Sequence, residues 1–416
     1  MLLDSSPLRR HRDYRLLFLG QVVSALGSFF TYVALPVQIF ELTKSSAIVG
    51  LMGALQLVPL ALTALWGGVL ADALDRRQLL RWCETLLMLC SIALAVNSLA
   101  PHPSVVALFV IASLMSAISG IHVPALESLT PKLVERDELT AVSALTSLRG
   151  TSAAIAGPAL AGVCIAAFGL PATFGIDAAT FAISLAALTA IRSMPPPDSA
   201  PNVSFASIRE GFRYAAGRPE LIGTYAVDIV AMTFAMPMAL FPALAARWGG
   251  EYTVGYLYSA MSLGSFLITL FSGWSKHVTR HGAAVILAAT AWGLAITALG
   301  FASSLPVAIL CLALAGAADM VSGLFRMTIW NETIPGEIRG RMAGIEQLSY
   351  MSGPLLGNAR AGFMGQRFGL ANAITWGGIL CVIGVIACAP LLPAFWRYRR
   401  SAAGVPGSEV SAAIET

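Results

Sequence analysis

Four ionisable residues stand inside long apolar runs of this chain: Asp177, Asp228, Asp319 and Arg149. An ionised side chain at the centre of a lone apolar helix costs at least about 2.5 to 3.5 kcal/mol on insertion scales, so each is expected to face the inside of a helix assembly. A carboxyl group in a low-dielectric cavity exchanges protons as water reaches it from one side or the other. Asp228 and Asp319 are the leading pair for proton coupling or for holding a substrate, with a static interhelical ion pair as the alternative. Asp177 suits a coupling role or a structural one among its neighbouring helices. Arg149 is placed either to hold an anionic substrate or to neutralise an acid on a facing helix.

Glu127, Arg326, Glu332 and Glu346 fall near the ends of apolar runs, where long side chains reach the membrane surface, and read as gate or snorkelling residues. His122 is a lone histidine suited to simple hydrogen bonding or to a proton relay. Aromatic residues including Tyr32, Phe241, Tyr258 and Trp292 are able to line a cavity for aromatic compounds by stacking, or to face lipid.

The elements that position these residues follow from composition. The 416 residues are 57% hydrophobic and 12% charged, against a soluble norm of about 45 to 50% apolar and about 25% charged. Such a chain cannot cover a water-facing surface, and its solvent is lipid. Apolar runs long enough to cross a bilayer lie near 16–40, 47–71, 79–99, 104–126, 139–167 and 170–191, then near 220–245, 253–275, 282–302, 305–329, 342–366 and 370–394. The expected fold is an all-α membrane protein with twelve transmembrane helices in two pseudo-symmetric six-helix bundles. The first span is too long for a signal-peptide core and reads as uncleaved. All six cysteines lie in apolar runs without a Cys-x-x-Cys pair, which argues for membrane-core residues rather than disulfides or a metal site.

The expected organisation is an N-terminal bundle over 1–191, a cytoplasmic linker over 192–219, a C-terminal bundle over 220–396 and a cytoplasmic tail over 397–416. Pro195, Pro196 and Pro197 open the linker, and Phe205, Ile208 and Phe212 then recur at helical spacing with Arg209 and Arg213 on the other face. That pattern predicts an amphipathic helix on the membrane surface. An even number of spans puts both termini on one side. Only Lys44, Arg247 and Arg367 fall in the joints opposite the termini, while Arg149, Arg326 and Arg360 lie within spans or at their ends. All other lysines and arginines lie on the terminal side, so the termini are expected in the cytoplasm.

The halves echo one another at an offset near 200: Phe168-Gly169-Leu170 recurs as Phe368-Gly369-Leu370, and Gly157-Pro158 as Gly353-Pro354. Their common order argues for a duplicated six-helix unit with a site between the halves. After the second span comes Gly67-Gly68-Val69-Leu70-Ala71-Asp72-Ala73-Leu74-Asp75-Arg76-Arg77. Gly68 allows close helix approach, Asp72 is able to face a helix N-terminus, and Arg76 or Arg77 to pair with acids across an inner gate. This segment resembles the signature of the major facilitator superfamily, with Ala73 where the family has Arg. The matching second-half segment, Gly273 to His281, keeps glycine and positive charge but lacks the acid. In the fifth span, Gly157-Pro158-Ala159-Leu160-Ala161-Gly162 resembles a shortened form of the helix-bending motif of the antiporter branches.

A more particular resemblance is carried by Phe18-Leu19-Gly20-Gln21, Asp177-Ala178-Ala179-Thr180-Phe181, Arg209-Glu210-Gly211-Phe212-Arg213-Tyr214 and Pro335-Gly336-Glu337-Ile338-Arg339. These are similar to the branch that holds the bacterial enterobactin exporter and macrolide-efflux carriers. The resemblance implies proton-driven export of a siderophore or hydrophobic drug across the bacterial inner membrane. It implies a small-molecule substrate, the bilayer as surroundings, a proton gradient in place of any cofactor, no nucleic acid, and a monomer. No nucleotide-binding loop and no metalloprotease motif occur, so neither a primary pump nor an enzyme is expected. An importer or lysophospholipid carrier of the same fold, and a non-transporting sensor or scaffold, are the alternatives.

Overall fold

The computed structural model describes residues 4–193, 205–335 and 338–399, and the side chains of some helical residues, Gly68 and Asp72 among them, lie outside that description. Pro195, Pro196, Pro197 and the tail beyond Arg399 lie outside it too. The first half comprises α1 (Ser6–Arg10), α2 (Arg12–Thr43), α3 (Ser46–Ala73), α4 (Arg76–Leu99), α5 (Val105–Leu129) and α6 (Leu139–Thr189). α7 (Phe205–Ala216) leads into the second half, made of α8 (Pro219–Ala235), α9 (Phe241–Trp248), α10 (Glu251–Leu270), α11 (His281–Leu299), α12 (Leu305–Thr333), α13 (Arg339–Phe368), α14 (Leu370–Leu391) and α15 (Pro393–Trp396).

Short polar joints start and stop these helices. Ser45, Asp75 and Ser104 each accept a hydrogen bond from the backbone N–H three residues on, which satisfies one of the free donors at a helix start. Among the described residues, ten helical stretches are long and apolar enough to cross a membrane. One of them, 136–189, bends at Gly169 and makes two passes. The 30-residue α13, which carries Glu346 and Arg360, packs between α3 and α8, and counting it with these stretches is consistent with the expected twelve passes. Gly169 and Gly369 both hold a positive φ, 77° and 86°, at the corner that opens the last pass of each half. Only glycine adopts that backbone without strain, so the repeated Phe-Gly-Leu becomes a repeated corner.

The pass expected over 220–245 is broken. α8 stops at Ala235, a short 3-10 turn covers Met238–Leu240, and α9 follows. Pro237 has no N–H for the carbonyl of Thr233. The guanidinium of Arg360 replaces it, donating from Nε to Thr233 O at 3.1 Å, while the Asn358 side-chain oxygen accepts from the N–H of Ala239 at 3.0 Å. α13 therefore holds the break from outside.

Within the first half α2 packs on α6, α3 on α5, and α4 on both α5 and α6; the second half repeats the scheme with α10, α11, α12, α13, α14 and α8. Two seams join the halves, α3 with α13 and α6 with α10. Both are closest on the side away from the termini. A side chain at Gly50 would meet the carbonyl of Asn358, and one at Gly162 would come within 2.9 Å of the Gly255 backbone. Absent side chains are what let these helices touch. The apolar core shows the same asymmetry. On the far side Phe30, Val49 and Ile165 share one cluster with Leu240, Phe241 and Val254. On the terminal side the core divides, with Tyr14, Leu80 and Leu145 clustering within the first half and Leu221, Trp330 and Met342 within the second.

Candidate functional site

Asp228 on α8 and Arg326 on α12 form a buried ion pair through Oδ1 and Nη1; they are 5% and 8% exposed. Asp319 lies two turns before Arg326 on the same helix face, and its Oδ1 stands 3.5 Å from Arg326 Nη2. One guanidinium thus serves two carboxylates, and Asp319 keeps 38% of its side chain exposed. The three groups line a cavity of about 410 Å³ with Met232, Met236, Met238, Met261 and Met327. Thioether side chains are flexible and polarisable and fit cargo of irregular shape. Trp292, on the same wall, is 1% exposed, and its indole N–H has no hydrogen-bond partner among the described residues.

The structure therefore brings Asp228 and Asp319 together, but through Arg326. Arg326 does not snorkel to a membrane surface: α12 continues to Thr333, past the expected end of this span at 329, so the residue lies deeper than the sequence placed it. Besides Trp292, Trp330 and Tyr350 on the cavity wall, aromatic side chains gather at the seam. Tyr32 of the first half meets Tyr258 of the second edge to face, with ring centres 5.5 Å apart, and Phe241 packs on Tyr258 at 4.9 Å.

The first half carries a second buried acid cluster. Asp177, wholly buried on α6, accepts from Thr31 and from Ser91, the latter at 2.8 Å. Glu84 on α4 is wholly buried too, and accepts from Gln21 Nε2 at 2.7 Å. His122 Nε2 lies 3.1 Å from the same Glu84 oxygen. Sequence reasoning passed over Glu84, although an acid inside a span drawn at 79–99 was the available signal.

Arg149 makes no ion pair among the described residues, and Tyr14 is its electrostatic neighbour. Arg77 departs from the expected pairing across an inner gate. Its guanidinium donates to the carbonyls of Leu188, at 2.9 Å, and Thr189, closing the end of α6 in its own bundle. Free carbonyls and the partial negative charge at a helix C-terminus attract a cation. Arg76 is 5% exposed. Gly157 backs onto the Phe29 ring, and the Pro158 carbonyl lies against Gly255, so this motif forms part of the α6–α10 seam.

Two six-helix halves that meet along paired glycine seams, with a charged cavity among the helices of the second half, define a membrane carrier. A family model described as a transmembrane secretion effector matches residues 4–415. The chain is 30% identical over 411 residues to the enterobactin exporters EntS of Shigella boydii serotype 4 and Escherichia coli O1:K1, covering 98% of each chain and of its counterpart. Its fold is similar to a peptide transporter POT in complex with sulfate, with a TM-score of 0.72 at 14% identity over 94% of this chain and 96% of that one. The nucleoside transporter NupG gives 0.69 at 14% identity, over 92% and 98%. The chain belongs to the transmembrane secretion effector family of the major facilitator superfamily.

Proposed function

We propose that this protein exports a siderophore or a hydrophobic drug across the bacterial inner membrane in exchange for protons. The observation that carries the reading is a charged, methionine-lined cavity among the helices of the second half, in a chain whose two halves touch most closely on the side away from the termini. The excess of lysine and arginine on the side of the termini supports a cytoplasmic placement of that side, and the close approach of the seams on the opposite side supports a carrier that takes its cargo from the cytoplasm. Similarity along 411 residues to enterobactin exporters supports a cargo of that kind.

In the proposed cycle cargo enters between the bundles and packs on Met232, Met261 and Met327, with the Trp292 N–H and the free oxygen of Asp319 as polar contacts. The two halves then rock about this site, parting the α3–α13 and α6–α10 seams as the terminal side closes. Proton uptake from outside favours return of the empty carrier. No covalent step is needed, and the gradient is the only energy source. Both halves lie in one chain, which suits a monomer.

The test is efflux of enterobactin and of macrolides from proteoliposomes with and without an imposed proton gradient, for the natural chain, Asp228→Asn and Asp319→Asn. Gradient-dependent efflux that either substitution abolishes is the expected result. Inward movement of a lipid or nutrient, with no efflux of any of these compounds, would discard export.

A further inference from the structure

Glu84 has a ligand environment that the cavity around Arg326 does not explain. It is wholly buried, and each element packed on it contributes. α2 gives Gln21 Nε2 at 2.7 Å and Ser24 Oγ at 3.5 Å; α5 gives His122 Nε2 at 3.1 Å. α6 gives Ser184, which Gln21 also contacts at 3.2 Å, and beyond it Asp177, which interacts electrostatically with Glu84. Cys83 adjoins it on α4. Two buried acids thus face one another through neutral side chains. Among the described residues His122 is the only basic group in contact with either.

His122 is also the open edge of the cluster. Its side chain is 15% exposed, while Glu84 is 0%, Ser184 1%, and Gln21 and Ser24 4%. Imidazole is the side chain whose charge changes near neutral pH, and its two nitrogens lie on opposite edges of the ring. Nε2 faces the carboxylate, leaving Nδ1 on the edge away from it. A buried carboxylate whose only cationic neighbour is titratable gains or loses its compensation with a proton, whereas one held by arginine does not.

We propose that Glu84 and His122 form a proton-binding site of the N-terminal bundle, distinct from the arginine cage in the C-terminal bundle. Water at the exposed edge gives a proton to Nδ1, and the imidazolium passes its Nε2 proton to Glu84 Oε1, so the cluster gains one positive charge. The reverse path discharges it. The site's role in transport rests on the proton-driven reading above; its existence does not.

The experiment uses the purified full-length chain in lipid nanodiscs. An infrared titration between about pH 5 and pH 8 follows the protonated-carboxyl band in the natural protein, Glu84→Gln and His122→Gln. Loss of a titrating band in E84Q and a displaced midpoint in H122Q are expected. In proteoliposomes both variants are expected to lose gradient-driven enterobactin efflux and to keep downhill equilibration of the same compound. An unchanged band in E84Q overturns the site, and full gradient-driven efflux in that variant overturns its role in transport. Should E84Q fail to fold, an unshifted titration in H122Q overturns the site instead. Should the natural protein move no enterobactin at all, the transport reading falls while the infrared result still decides the proton site.

Discussion

In the C-terminal bundle Asp228 and Asp319 share the guanidinium of Arg326, whereas in the N-terminal bundle Glu84 meets the imidazole of His122 and Asp177 is met, among the described residues, by the hydroxyls of Thr31 and Ser91. Both solve the same problem, the cost of an acid among apolar helices. The arginine solution joins two acids through one bidentate group and leaves Asp319 partly exposed beside the cavity. The solution in the first half spreads the compensation over neutral donors and one imidazole. The difference teaches that a duplicated unit need not duplicate its chemistry.

The sharpest way to break this comparison is Arg326→Ala. It leaves two carboxylates in a buried site without their shared cation, and a loss of about 3 to 5 kcal/mol is expected, seen as a lower unfolding temperature in detergent. Replacing Arg326 by Met together with Asp228 by Leu should recover most of that loss; no recovery would mean that the pair does more than compensate charge. Next comes Arg360→Ala, which strips the carbonyl of Thr233 of its donor at the Pro237 break. About 1 to 3 kcal/mol is expected, with faster amide exchange around 233–240 as the local reading. α2 carries Pro36 within an unbroken helix, so the first half should show no counterpart.

Glu84→Gln sharpens the contrast from the other side. The amide keeps the acceptor for Gln21, and a stability change of about 1 kcal/mol or less is expected, far below that of R326A in the same melting assay. An equal loss in both would erase the distinction between the halves. Smallest is Arg77→Ala, which removes two donors from the end of α6. About 0.3 to 1 kcal/mol is expected, with transport retained; abolished transport would restore Arg77 to a gating role.

Much of the architecture was legible in the sequence because lipid imposes it. Every span must be long, apolar and internally hydrogen-bonded, and the glycine corners at 169 and 369 betray the duplication. The candidate site was half legible. Asp228 and Asp319 stood out as charges in apolar runs, while Arg326 was assigned to the membrane surface because α12 extends past the point where hydropathy falls. Glu84 was hidden by its position soon after Arg76, Arg77 and Arg81, which reads as a polar start to a span. The broken seventh pass was hidden as well: Pro36, Pro59 and Pro124 lie in helices that continue, and Pro237 interrupts one because α13 supplies partners for the groups it frees.

The sequence by itself determined the class of the protein, its succession of membrane-length helices and its internal repeat, since these depend on the summed transfer energies of each segment and on recurring residues. Only the tertiary structure decided which charges meet and where the two halves touch. Gln21 finds Glu84 across 63 residues of chain, and Glu84 finds His122 across 38. Such pairings depend on the rotation of each helix about its axis and on the close approach of glycines at the seams. Hydropathy within one helix carries no record of either.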